Sequence, residues 1–306
     1  MNGPGRAADV DLVQPFRIER ANLLGRMVRL DDTLADVLRP HAYPAPVAGL
    51  LGEAVALTAL LAAALKYEGV FTLQAQGDGP VGMMVTDVTS EGGVRAYARF
   101  DEGAFVDGPT GPLPGGGDDA SVPRLLGAGH LAFTVDQGPE TDRYQGITEL
   151  EGATLTECAE DYFRRSEQLP TAIMLASTLG TDGAEARSAG LMIQRVAETG
   201  ARALDAEALD KDWRRSVILM GSLSGSELLD PAVSANDVLY RLFHEDGVRV
   251  YKPRPLTFRC RCSAEKVAAV LDAFSADELA DMRGDDGGIV ATCEFCLSPY
   301  EYESGQ

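Results

Sequence analysis

The chain has 306 residues, 45% of them hydrophobic, enough for one main folded domain with a smaller one beside it and inconsistent with a disordered chain. Its 47 acidic against 27 basic side chains give a formal net charge of −20, which argues against a general nucleic-acid binder, because phosphate contacts are made by Lys and Arg. Residues 1–14 (MNGPGRAADVDLVQ) lack the apolar core of an export signal, and the cysteines stand in metal-ligand spacing, so the expected compartment is the cytoplasm.

The first residues read as disordered up to Pro15, and 16–30 alternates enough for one or two strands. A short helix is expected over 31–38, ending before Pro40. The longest apolar run, 47–65, has the length of a membrane span. It contains Glu53, is dominated by Ala and Leu and follows Pro44 and Pro46, so a buried core helix over 47–66 is expected and no membrane partner. Strands follow at 71–76, 82–88 and 94–100, the first two joined by a hairpin turn, Gly77-Asp78-Gly79-Pro80. A Gly/Pro-rich surface loop fills 102–120, and further strands are expected near 130–136 and 144–150.

A helix over 155–168 opens with a capping box, Thr154 and Glu157, and is stopped by Leu169-Pro170. Its Cys158, apart from the other four cysteines, reads as a buried helix residue without a role. Strands at 172–178 and 190–197 complete a core domain assigned to 1–198. From 199 to 256 the sequence reads as a helical linker: an amphipathic helix over 204–223 with the only tryptophan, Trp213, then a second over 234–245 capped by Ser234. The predicted fold is therefore α+β, with β-sheets packed on a buried helix, a helical linker, and a small C-terminal module at 257–306.

That module holds the strongest chemical signal. Cys260 and Cys262 form a C-x-C pair, and Cys293 and Cys296 a C-x-x-C pair after a thirty-residue insert with seven acidic and two basic side chains. Two short-spaced pairs separated by a helix-sized insert lay out a tetrathiolate zinc site. Ser263 opens a helix to about 274, and Ser275 with Glu278 caps a short one to 283. So small a module gains on the order of 10–16 kcal/mol from a structural zinc, and that energy is folding energy. Disulfides inside each pair would close tiny loops, worth less than the ~3 kcal/mol of a 15-residue loop. Lys252, Arg254, Arg259 and Arg261 are expected to favour thiolate at the first pair. The residues alone leave two readings open, a permanently closed zinc knuckle and an oxidation-sensitive switch.

Other chemistry finds little support. His41, His130 and His244 are scattered, and no nucleotide, hydrolase or metalloprotease motif appears, so no enzyme active site is expected. The competing reading is a thiol–disulfide oxidoreductase using Cys293-Glu294-Phe295-Cys296, although no thioredoxin-like βαβ pattern precedes it. A zinc-knuckle nucleic-acid module, suggested by the basic run 252–261, is opposed by the overall charge.

In order along nearly the whole chain stand LQAQGDGP at 73–80, RYQGI at 143–147, LEG at 150–152, EDYFRRSEQLPT at 160–171, GLMIQ at 190–194 and VLYRLFHEDGVRVY at 238–251, followed by the two cysteine pairs. With these the chain resembles the redox-regulated holdase chaperones of the 33-kDa heat-shock protein family. The resemblance implies zinc held by Cys260, Cys262, Cys293 and Cys296 in a reduced, inactive or weakly active form. It further implies that oxidants form the disulfides Cys260–Cys262 and Cys293–Cys296, release zinc and unfold the zinc domain and linker. The protein, commonly a homodimer when active, then holds unfolding client proteins without ATP. One departure lies at Leu297, directly after the last cysteine, where relatives usually carry a small residue such as glycine.

Overall fold

Alternating apolar side chains make the first hairpin, β1 (Leu12–Ile18) and β2 (Leu23–Leu30), antiparallel from Leu12–Arg29 to Ile18–Leu23. In this computed structural model, which describes residues 10–105, 121–138, 141, 143–179, 186–195, 206–284 and 288–302, the chain is thus ordered before Pro15, earlier than the sequence suggested. Pro15 is tolerated inside β1 because its missing N–H falls between two short partner strands, while its carbonyl still accepts from the Tyr251 N–H at 2.9 Å. Next come α1 (Asp32–Leu38) and α2 (Ala45–Ala62). The N-terminus of α1 is capped from a distance: the Asp11 carboxylate accepts from the N–H groups of Asp31, Asp32 and Thr33 at 2.9–3.2 Å.

The hairpin β3 (Val70–Gly77) and β4 (Val81–Thr89) turns at the expected Gly77–Pro80 link and is followed by β5 (Gly93–Phe100). Of the expected loop at 102–120, residues 102–105 form a 3-10 turn and 106–120 lie outside the described residues. After α3 (Val122–Leu125) come β6 (Gly129–Asp136), β7 (Tyr144–Glu149) and α4 (Leu155–Tyr162). Thr154 caps α4, but the Glu157 carboxylate accepts from the Ala153 N–H rather than completing a box on Thr154. Beyond Tyr162 the helix widens into a π-turn, Phe163–Glu167, closed by Gln168 at φ 52°. The strands β8 (Thr171–Thr178) and β9 (Arg187–Arg195) follow.

Then come three helices, α5 (Ala206–Gly221), α6 (Gly225–Leu229) and α7 (Ala235–Phe243), and three short strands, β10 (Val248–Val250), β11 (Arg254–Pro255) and β12 (Thr257–Phe258). One sheet runs β10-β1-β2-β9-β8, with β11 also on β1; the other runs β12-β5-β4-β3-β6-β7. By contacts the chain divides into two units, Met1–Phe258 and Arg259–Gln306.

Within the larger unit, α2 packs on β2, β8 and β9 of the first sheet and on β3, β4 and β5 of the second. Contact on both sides explains why it is apolar all round. It has the length and hydropathy of a membrane span, yet 78% of it is buried inside the fold, as expected of a core helix. Burial pushes the carboxyl of Glu53, on this helix, up to about 7.

A second apolar cluster covers the other face of the first sheet. Phe16, Leu23, Met27, Leu191 and Ile193 of the sheet meet Met220, Leu223, Leu228, Val238, Leu239 and Phe243 of the helices. Gly25 makes room for this layer, since a Cβ there would lie 2.0 Å from the Phe16 ring, which stacks on Phe243 with centroids 6.0 Å apart. Arg29 of β2 is 4% exposed and binds the layer by its polar end. Its Nε donates to the Leu228 carbonyl at 3.0 Å and its Nη1 to the Val233 carbonyl. The helices of the expected linker thus lie on the first sheet as a cover.

Candidate metal centre

The smaller unit is built from short elements: α8 (Ala264–Leu271), α9 (Ala276–Asp281) and the antiparallel pair β13 (Ile289–Thr292) and β14 (Pro299–Tyr302). The expected caps are present. Ser263 accepts from the Lys266 N–H, and Ser275 with Glu278 forms a full capping box. Only Leu271 and Ile289 are buried hydrophobic residues among its described residues, whereas Val270, Phe274, Met282, Val290 and Leu297 are exposed.

Cys293 and Cys296 sit on the turn between β13 and β14. The Leu297 N–H donates to the Cys293 carbonyl at 2.8 Å and the Cys293 N–H to the Ser298 carbonyl at 3.0 Å, which folds both sulfurs to one side. Leu297 closes the turn at φ 54°, a left-handed conformation that glycine adopts freely and that costs an L-residue about 1–2 kcal/mol. Leu297 therefore carries a backbone strain that a glycine at this position would not.

All four sulfurs predicted as ligands come together. Those of Cys260, Cys262, Cys293 and Cys296 lie within 4.8 Å of one another, with Cys260–Cys293 at 3.6 Å and Cys262–Cys296 at 3.4 Å. All four are free thiols, partly exposed. A zinc–sulfur bond of about 2.3 Å in a tetrahedron sets sulfurs about 3.8 Å apart. The two short separations lie just below that spacing and every pair lies within 4.8 Å, so the donor set fits a tetrahedral, thiolate-loving metal such as zinc. No carboxylate or histidine joins the cluster among the described residues, and Cys158 is buried apart in α4.

Two further side chains contact the sulfurs and were missed in the sequence. The Tyr300 hydroxyl donates to Cys262 Sγ at 3.0 Å, and the Cys296 thiol donates to Ser298 Oγ at 3.2 Å. Their signal was the alternation after Cys296, which puts Ser298, Tyr300 and Tyr302 on one face of the strand. Tyr302 completes the face by donating to Asp272 Oδ1, beyond the end of α8, at 2.7 Å. The bond to Cys262, and then burial, raise Tyr300 to about 12.

The thiols differ in acidity. Burial pushes Cys262 up to about 12, reinforced by the neighbouring thiols and only partly offset by Tyr300. Burial also raises Cys293. At Cys296 burial acts upward too, but hydrogen bonds with the side chain and backbone of Ser298, together with those to Cys262 and Cys260, outweigh it and bring the thiol down to about 7. The expected thiolate-favouring effect of basic residues therefore does not govern Cys262, and Arg254 belongs to β11 of the larger unit. A bound dication reverses this balance, because a coordinating thiol is deprotonated outright.

Comparison with known proteins agrees with this architecture. The family described as Hsp33 protein matches residues 11–303. The 33 kDa chaperonin of Caulobacter vibrioides is 44% identical over 295 residues, covering 96% of this chain and 95% of that protein. The 33 kDa chaperonin of Azotobacter vinelandii is 37% identical over 298 residues, covering 97% and 93%. Among solved structures, the 33 kDa chaperonin of Thermotoga maritima superposes with a TM-score of 0.77 at 25% identity, covering 95% of this chain and 94% of that one.

Proposed function

The chain belongs to the Hsp33 family of chaperones, and on that premise we propose that it is an ATP-independent holdase switched on by oxidation of Cys260, Cys262, Cys293 and Cys296. The observation that carries this reading is the convergence of four free sulfurs in a unit with almost no core of its own. Leu271 and Ile289 together contribute about 3–6 kcal/mol by burial, against on the order of 10–16 kcal/mol for a structural zinc. Ordering each residue costs roughly 1–2 kcal/mol in backbone entropy, so the metal-ligand bonds decide whether this unit folds.

Oxidation acts on those bonds. A thiolate that attacks peroxide becomes a sulfenic acid, and a second thiol displaces the hydroxyl as water, leaving one disulfide for two thiols and one peroxide. Each disulfide, Cys260–Cys262 or Cys293–Cys296, withdraws two sulfurs from the tetrahedral set and closes only a short loop. The zinc module assigned to 257–306 then unfolds, the region 199–256 follows, and the apolar sheet face beneath α5, α6 and α7 is uncovered for unfolding client proteins. The active form is a homodimer working in the cytoplasm, where thiols are kept reduced until stress, and it binds clients without chemical turnover. The test is limited proteolysis of the zinc-loaded protein during peroxide treatment, with zinc release followed by a chromophoric chelator. Loss of protease resistance in 259–306 in step with zinc release supports the switch; four oxidised thiols in a unit that stays resistant refute it.

A further inference from the structure

Three stretches behind the family resemblance have no part in the cysteine switch: RYQGI at 143–147, EDYFRRSEQLPT at 160–171 and GLMIQ at 190–194. In the larger unit they converge on one cavity of about 390 Å³. Leu61 and Leu65 near the end of α2, Phe71 of β3 and Phe133 of β6 give it apolar walls. Its polar groups come from the three stretches: Tyr144 from the first, Tyr162 and Glu167 from the second, Gln194 from the third.

The polar groups are arranged around one carboxylate. Tyr162 donates to Glu167 Oε1 at 2.7 Å and Tyr144 donates to the same oxygen at 2.8 Å. The π-turn, with its extra residue per turn, carries Glu167 to this position; such turns are rare and concentrate at functional sites. Gly146 is part of the same construction, since a Cβ there would stand 2.2 Å from the Tyr162 hydroxyl. Glu167 is exposed, and no described residue hydrogen-bonds its second oxygen, Oε2. The nearby arginines are engaged elsewhere: Arg143 with Asp136, Arg164 with Asp161, and Arg165 with Glu151 and Asp161.

Beside the cavity runs β7, the last strand of its sheet, with no strand on its outer edge among the described residues. Its Tyr144 and Ile147 are each 57% exposed. An open strand edge offers main-chain pairing to an extended chain, and pockets beside it select side chains. We propose that the cavity and the β7 edge form a binding site for an extended polypeptide segment that places a large apolar side chain in the cavity and a Lys or Arg against Glu167. The exposed Glu167 carboxylate, in a chain of net charge −20, selects the cation. The ligand class rests on the chaperone reading, but the site does not use the switch: every group in it belongs to the larger unit and lies outside the α5–α7 cover.

The test uses the full-length protein, reduced and zinc-loaded, and fluorescein-labelled ten-residue peptides read by anisotropy. One probe alternates phenylalanine with arginine, a second replaces arginine by glutamate, and a third is the first with N-methylated backbone amides. The arginine probe binds; the glutamate and N-methylated probes bind at least tenfold more weakly. Glu167→Gln weakens the arginine probe by roughly fivefold, as expected for a partly exposed ion pair. Asp36→Asn, an equal change of charge on α1, which packs on β12, β5 and β9 and lines no part of the cavity, leaves it unchanged. No binding of the arginine probe, equal losses from Glu167→Gln and Asp36→Asn, or undiminished binding of the N-methylated probe overturns the site. Peptide binding by the reduced protein together with failure of the oxidised protein to suppress aggregation would instead sink the switch and leave the site standing.

Discussion

Replacing Arg29 by Met tests how the cover over the first sheet is held. The guanidinium is buried in the apolar layer and donates to the carbonyls of Leu228 and Val233. Each such charge-assisted bond is worth about 1.5–3 kcal/mol, and a buried carbonyl left without a donor costs about 1–3 kcal/mol. Methionine fills much of the same volume and removes the penalty of burying a charge, which returns part of the loss. The net weakening expected at α6 and the start of α7 is about 2–4 kcal/mol, which raises the open population of the cover roughly 30- to 900-fold. In the reduced, zinc-loaded variant, amide hydrogen exchange over 225–243 should accelerate by that factor while zinc content stays at that of the parent protein. Arg29→Lys, which keeps the charge but not the fork of donors, should fall between the two. Unchanged exchange in Arg29→Met would refute the view that Arg29 holds the cover.

Joint replacement of Cys293 and Cys296 by Ser should abolish zinc binding and make 259–306 protease-sensitive even under reducing conditions; retained zinc would remove these residues from the ligand set. Tyr300→Phe deletes a hydrogen bond to a ligand sulfur and should weaken zinc about tenfold in a chelator competition, the low end for outer-shell partners; an unchanged affinity would contradict that role. Glu53 titrates near 7 in the fold against an ordinary 4.5, so between those values the folded state keeps a proton the unfolded chain has lost. Its contribution is full below pH 4.5 and declines by up to about 3 kcal/mol as pH rises past 7. Urea unfolding of the parent and of Glu53→Gln at pH 5 and pH 8 should therefore differ in pH slope, and parallel slopes would dismiss the effect.

The cysteine centre was legible because metal ligation demands particular residues at short spacings, and Cys260, Cys262, Cys293 and Cys296 satisfy that before any folding is considered. The core helix was legible because a run with no polar face has nowhere to lie but inside, and Ser275 with Glu278 announced its helix by local hydrogen bonding alone. Other features depend on partners far along the chain. The bonds of Arg29 to Leu228 and Val233 and the cap of Asp11 on α1 are long-range contacts that leave no local pattern. The parallel pairing of Thr257 and Phe258 with Gly93 and Val94 is another. The π-turn was missed because its sequence, FRRSE, reads as continued helix; only the fold shows Glu167 drawn in by two tyrosines. Leu297 was visible as a departure in sequence, but its meaning required the backbone, which at φ 54° shows why glycine suits the position.

The central claim is that oxidation at the four cysteines turns the suppression of client aggregation on. Light scattering of a heat-unfolding client tests it directly, with the protein added either reduced and zinc-loaded or peroxide-oxidised, and no ATP. Suppression of aggregation by the oxidised form and little or none by the reduced form is the expected result. Equal suppression by both forms would make the metal centre structural only, and no suppression by either would contradict the holdase account.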